Sequence, residues 1–231
     1  MIIAFHSKIF IRTLWAILGV LLLFYMLAFY LPSVFQIQLP LGEQLTQTLN
    51  ILEENNLPTL FSTILFLLAA ASTALIAQSA DAAHKNHWSF LCGLFIVCGI
   101  DETACFHERI SFYLQKSLGF QGALYYSWII PAAVLVMVLT AAYAPLVLKL
   151  PSSVRFKILA AGAVFVTGAI GFEPIQGWVI SNDYYFQMER LAITLASVEE
   201  ILEFAGLILF IDGAMSHLTH GTSAVNVSIT T

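Results

Sequence analysis

The chain has 231 residues, 59% of them apolar and 10% charged, with a mean hydropathy of +0.87, a composition that excludes a cytosolic enzyme and a disordered chain. Fourteen acidic residues against nine basic ones leave a net charge of −5. No basic field exists to hold nucleic acid, and anionic lipid head groups gain little.

Lys8 and Arg12 precede an apolar run from about Leu14 to Leu31, longer than a signal-peptide core and without a small-x-small cleavage site, which reads as a retained first span. Crossing roughly 30 Å of hydrocarbon takes about 20 helical residues, and stretches of that kind fall at about 9–31, 58–80, 88–113, 123–148, 156–173 and 189–214. The expected fold class is therefore all-α: a polytopic membrane bundle of about six transmembrane helices, one domain over residues 1–220 with a flexible tail over 221–231. Lys8, Arg12, Lys85, Lys149, Arg155 and Lys157 fall on one side of such a bundle, and Arg109, Lys116 and Arg190 on the other. The imbalance predicts cytoplasmic N and C termini.

Between the first two spans, residues 32–57 carry Glu43, Glu53 and Glu54 and no basic residue. Leu45, Leu49 and Leu52 recur there at helical spacing between Pro40 and Pro58, which predicts an interfacial helix in an external loop. Small residues four apart, Ala69, Thr73 and Ala77 in the second span and Ala163, Thr167 and Gly171 in the fifth, predict close helix contacts. Cys92, Cys98 and Cys105 share one apolar segment without a CxxC, so no structural disulfide is expected.

Seven of the 14 acidic residues lie within or at the ends of spans: Asp101, Glu102, Glu108, Glu173, Glu199, Glu200 and Glu203. A central Asp costs roughly 2.5–3.5 kcal/mol on insertion scales, so these side chains must face inward, compensated by protons, cations or arginine. At 1.5 Å per residue Asp101 lies roughly 20 Å beyond Trp88, and Glu199 to Glu203 lie roughly 14–20 Å below Arg190, so the two groups meet in depth. At 100° per residue Asp101, Cys105 and Glu108 share a stripe, flanked by His107, while Glu199 and Glu203 share another with Glu200 beside it. Pro174 is expected to end the fifth helix at Glu173, which then joins His107 and Glu108 in an outer layer.

Carboxylates plus an imidazole projecting into a bundle core form a ligand set for iron, manganese or zinc, and carboxylates alone also suit magnesium or calcium. Asp101, Glu102, His107, Glu108, Glu173, Glu199, Glu200 and Glu203 are the candidate metal ligands. A di-iron bundle needs two ExxH pairs, and the layer holds one histidine, so an oxygen-rich site is expected. A metal there would activate water or polarise a lipid-like substrate, which makes a membrane metalloenzyme the first expectation. The same acids suit a proton- or divalent-cation-coupled transporter, for which six spans are few unless a homodimer supplies more. They also suit an accessory subunit that pairs with a partner's basic residues. A second group, Asp81, His84 and His87 with Asp212, His217 and His220, falls at the cytoplasmic border, where solvated histidines are expected. No GxSxG, P-loop or dinucleotide fingerprint occurs.

Asp101-Glu102 followed by His107-Glu108, the GAxGxE run ending at Glu173, the Glu199-Glu200-x-x-Glu203 helix and Gly122-Ala123-Leu124-Tyr125 at the start of the fourth span resemble a group of uncharacterised bacterial multi-pass membrane proteins, sometimes loosely labelled transporters. The resemblance covers roughly residues 88 to 215; the first 60 residues add nothing to it. It implies a six-span fold in the bacterial inner (cell) membrane and a shared acidic site. The pattern differs from the alkaline ceramidase and progestin-receptor type of membrane hydrolase, whose zinc site needs an HxxxH pair absent here.

Overall fold

The computed structural model describes residues 7–36, 42–181 and 187–221. Among them the chain is helical, without a strand. Helix α1, Ser7–Phe35, contains a π turn at Met26–Tyr30. It is followed by α2 (Glu43–Leu49), α3 (Leu57–Ser79), α4 (Ala82–Ala104) and α5 (Phe106–Leu118). A 3₁₀ turn at Gly122–Leu124 precedes α6 (Ile129–Lys149), α7 (Ser152–Ser181, with a π segment at Thr167–Phe172) and α8 (Gln187–Gly221). Four of these helices, α1, α3, α6 and α7, are long and apolar enough to cross a membrane, and the bent pair α4 and α5 makes five if it is one span. Of the tail predicted at 221–231, Gly221 closes α8; residues 222–231, like Pro40, lie outside the described residues.

The core forms where α1, α3 and α8 meet: Leu14 and Leu18, Leu65 and Ala69, and Ile208 and Ile211 are all buried in one cluster. A second cluster joins Ile76, Trp88, Leu150, Val154 and Ala214 at the opposite end. Polar ties reinforce both: Tyr25 Oη lies 2.7 Å from Ser197 Oγ, and Lys157 Nζ lies 2.7 Å from Asp212 Oδ2. Thr73 donates back to the carbonyl oxygens of Ala69 and Ala70, which satisfies a hydroxyl inside an apolar helix. Helix α6, by contrast, buries only Ile129 and Leu146 and leaves Met137, Val138 and Leu148 facing outward. So broad an apolar exterior suits lipid rather than water.

Three local features differ from expectation. The predicted third span is not straight: α4 and α5 meet at a 70° bend at Cys105, whose φ of 52° is left-handed. A residue in that conformation stops the helical ladder, and a cysteine carries no sequence signal for it. Pro174 does not end the fifth helix, because the π segment just before it widens the turn and accommodates the missing N–H, and the helix continues to Ser181. The Ala69, Thr73 and Ala77 stripe is buried as expected, but Ala163, Thr167 and Gly171 are exposed. The close contact in α7 uses Gly168, where a Cβ would lie 2.9 Å from the Glu199 carbonyl oxygen.

The loop between the first and second long helices is built rather than slack. Helix α2 buries Leu49 and stops at Asn50, so Leu52 lies beyond it. Asn56 caps α3: its Oδ1 accepts from the Thr59 N–H at 3.1 Å, and its Nδ2 donates to the carbonyl oxygens of Asn50 and Glu53 at 2.5 and 2.8 Å. Losing an asparagine cap costs about 1–2 kcal/mol. Asn56→Ala is expected to lower the melting temperature in detergent and to make the Glu53–Glu54 segment more sensitive to proteolysis; an unchanged melting curve would contradict this role.

Candidate functional site

The bend at Cys105 shapes the site. Asp101, in the last turn of α4, reaches across it and caps α5: its Oδ1 accepts from the His107 backbone N–H at 3.1 Å, and its Oδ2 lies 2.8 Å from His107 Nδ1. Both carboxylate oxygens are thus occupied by His107. The ring is fixed with Nδ1 toward Asp101, leaving Nε2 as the nitrogen available to a ligand. Such a carboxylate–histidine pair sets tautomer and orientation in metal sites. Because the helix breaks, Asp101 and Glu108 do not share a straight stripe; both line one cavity on either side of the bend.

Nε2 is not alone. Ligand atoms of Glu54, His107 and Glu108 all lie within 4.8 Å of one another, the one group of three or more metal-type donors found among the described residues. Glu54 comes from the loop before α3, held there by Thr59, whose hydroxyl lies 3.4 Å from Glu54 Oε2. Burial, reinforced by the nearby Glu108 and Asp101 carboxylates, holds the Glu54 carboxyl above the ordinary range, against the opposing pull of His107 and Thr59.

Below this cluster lies a cavity of about 420 Å³. All eight residues singled out from the sequence line it: Asp101, Glu102, His107, Glu108, Glu173, Glu199, Glu200 and Glu203, joined by Glu53 and Glu54. Its walls include the apolar rings of Phe66, Phe165 and Phe204. Trp128 links the outer and inner parts. Its ring lies 5.2 Å from the His107 ring between centroids, and its Nε1–H donates to Glu173 Oε1 at 3.0 Å. Glu173 is buried rather than at an outer helix end, since α7 runs on past it. Glu199, across from it on α8, is also buried and accepts from the Gln176 amide.

Arginine does not compensate these acids. Arg109 and Arg190 are exposed, and among the described residues neither forms an ion pair; the Arg109 guanidinium instead sits over the Phe106 ring. Glu54, Trp128 and Gln176 were not legible as site residues. A loop glutamate next to an asparagine cap carries no burial cost that singles it out, and the other two read as a membrane-interface ring and an ordinary helix amide.

The second group of histidines and aspartates does not form a cluster of three or more metal-type donors among the described residues. Asp81 caps α4 through the His84 N–H and meets the ring Nδ1 at 2.7 Å, and these bonds hold its carboxyl below the ordinary range. His217 stacks on Trp88, His87 meets Tyr143 edge-on, and Asp212 pairs with Lys157. The His220 side chain lies outside the described residues. Cys92, Cys98 and Cys105 form no disulfide.

No curated protein and no solved structure matches the chain. A family model matches residues 12–218, from the first helix to near the end of the last, and the chain therefore belongs to the family described as Domain of unknown function (DUF8692).

Proposed function

We propose that this chain is a six-span protein of the bacterial inner membrane, with both termini cytoplasmic, that holds iron, manganese or zinc between Glu54, His107 and Glu108 and acts on a lipid-like substrate. The observation that carries the reading is the convergence of those three donors at the mouth of a carboxylate-lined cavity. Two carboxylates and an imidazole leave positions on a metal open for water or substrate. In this reading α8, at 35 residues or roughly 52 Å, is the sixth span, with its acids turned to the cavity. Helix α5 lies along the outer interface, consistent with the exposure of Phe112 and Tyr113. The aromatic walls of the cavity would receive an acyl chain, and a metal held by Glu54, His107 and Glu108 would supply Lewis-acid chemistry, with a neighbouring carboxylate of the cavity placed to take a proton.

A second reading, cation passage, is favoured by the absence of any Lys or Arg from the cavity lining. Acid-dependent cation uptake into proteoliposomes separates it from catalysis.

The test of the first reading is elemental analysis of detergent-purified protein after manganese, iron or zinc supplementation. Stoichiometric metal is expected at neutral pH, and none at any supplementation overturns the reading. Metal needs the ionised carboxylate, and a proton competes for Glu54 at higher pH than for an ordinary glutamate. Metal retention is therefore expected to be complete in mild base and to fall, as the pH is lowered, before an ordinary glutamate would take up its proton. Retention that persists down to the range where an ordinary glutamate protonates would remove Glu54 from the ligand set.

A further inference from the structure

We propose that the phenylalanine rings under the cavity are a permeability seal: Phe66, Phe95, Phe165 and Phe210 close it at its inner end, so that water and ions reach the acids from the mouth alone. The inference goes beyond the metal reading and does not depend on it, since a seal is needed whatever the acids hold.

The first argument is where the cavity opens and where it stops. Glu53 and Glu108 line it and are exposed, so it is open at the end of the bundle where Glu54 lies. Its other end is a floor of Phe66, Phe165 and Phe204. A second layer lies against that floor. Between ring centroids, Phe66 meets Phe165 edge-on at 6.0 Å and Phe95 at 6.4 Å, and Phe95 in turn meets Phe210 at 4.7 Å. Phe95 and Phe210 take no part in the cavity lining.

The second argument is length. From Glu203, at the inner end of the cavity, α8 rises roughly 14 Å to Asp212 at 1.5 Å per residue. The residues between, Phe204 to Ile211, are all apolar or glycine, and Phe204, Leu207, Ile208 and Ile211 are at most 3% exposed. Helix α3 adds Leu65 and Ala69 to the same core. Its next hydroxyls, Ser72 and Thr73, donate to carbonyl oxygens of their own helix. Charge resumes only at Lys157, which pairs with Asp212 and donates to Ser216. An ion in the apolar layer would lose its hydration without meeting a charged partner, and apolar constrictions stop conduction by excluding water.

The third argument is that the floor rings are pinned from behind. A Cβ at Gly206 on α8 would lie 2.7 Å from the Phe165 Cβ, and one at Gly99 on α4 would lie 3.1 Å from the Phe66 Cβ. Glycine at these two positions lets the neighbouring helices press on the base of each ring, which keeps the layer closed. A cavity open at one end and sealed at the other suits a reaction at one face of the membrane and opposes the passage reading.

The test is proton permeability. Wild-type protein is reconstituted in vesicles with an entrapped pH dye, and a pH step is imposed with potassium and valinomycin present to balance charge. The gradient is expected to decay no faster than in empty vesicles. Phe66→Ala combined with Phe210→Ala, which removes one ring from each layer, is expected to collapse it several-fold faster. Phe90→Ala, which removes an exposed ring of α4, is expected to match the wild type. Fast decay with the wild type overturns the seal and favours cation passage. Decay in the double variant no faster than in the wild type, or equally fast decay in Phe90→Ala, overturns the assignment to these rings. If the double variant fails to fold, hydroxyl-radical footprinting of the wild type in detergent takes its place. Trp128 and Phe165 line the cavity and Phe95 and Phe210 do not, though all four are half-buried. Oxidation is expected at the first pair only, and comparable oxidation at Phe95 and Phe210 overturns the proposal. Bound metal is measured on the same wild-type preparation, so that failure of the metal reading and failure of the seal are scored separately.

Discussion

The His107→Ala variant is expected to lose the metal at the mouth of the cavity altogether, and Asp101→Asn to weaken binding there by about ten- to a hundredfold. The two changes act differently. Alanine at 107 removes the nitrogen donor. Asparagine at 101 can keep the cap, because its Oδ1 still accepts from the His107 backbone N–H, now 3.1 Å from Asp101 Oδ1. Its amide nitrogen, however, faces His107 Nδ1, so the imidazole must accept there and carry its proton on Nε2, the position the metal needs. Metal affinity should therefore fall while the melting temperature of the metal-free protein stays near wild type. Equilibrium metal titration beside thermal unfolding checks both. Equal metal affinity in Asp101→Asn would mean that the Asp101–His107 pair is a helix cap and nothing more.

Gly206→Ala is expected to destabilise the bundle by about 1–3 kcal/mol, and Gly162→Ala to be neutral or slightly stabilising. A Cβ at 206 would lie 2.7 Å from the Phe165 Cβ and 2.8 Å from its Cα and N, whereas nothing lies within 4 Å of one at 162. Backbone cannot swing aside as a side-chain tip can, so α8 must back away from α7 to admit the methyl group. At 162 there is only the helix-propensity gain of alanine over glycine, up to about 1 kcal/mol. Thermal unfolding in one detergent compares them; equal melting temperatures would show that the two helices are not held at this distance. The substitution bears on the site as well. Gly168 meets the next turns of the same contact, against the Glu199 carbonyl oxygen, Leu202 and Glu203, so the crossing that admits no methyl group also sets how far the α8 acids stand from Glu173.

That these acids would turn inward was legible because the cost of a carboxylate in hydrocarbon belongs to the residue itself. Glu199, Glu200 and Glu203 on a long apolar helix have to turn inward wherever that helix is placed, and the same holds for Asp101, Glu102 and Glu173. The helical class follows for a related reason, since backbone groups in lipid must be satisfied within their own segment. Other features depend on neighbours distant in sequence. Nothing in the local sequence marks Cys105 for a left-handed turn, yet that turn brings His107 onto Asp101 and replaces the straight stripe expected for the segment. Pro174 has the local signature of a helix end, which the preceding π segment overrides. Glu54 sits among ordinary loop residues and becomes a site residue only because the Asn56 cap and Thr59 hold its strand of loop over the end of α4. The small-residue pattern in α7 offered several faces, and the one that packs, through Gly168, is chosen by the fit of α8 against it. Composition and burial cost by themselves thus determined a helical chain with segments apolar enough to cross a membrane and with inward acids. Tertiary structure decided which of those acids meet, and with what, because the turn at Cys105, the close α7–α8 crossing and the cap at Asn56 depend on packing between segments that carry no local sign of it.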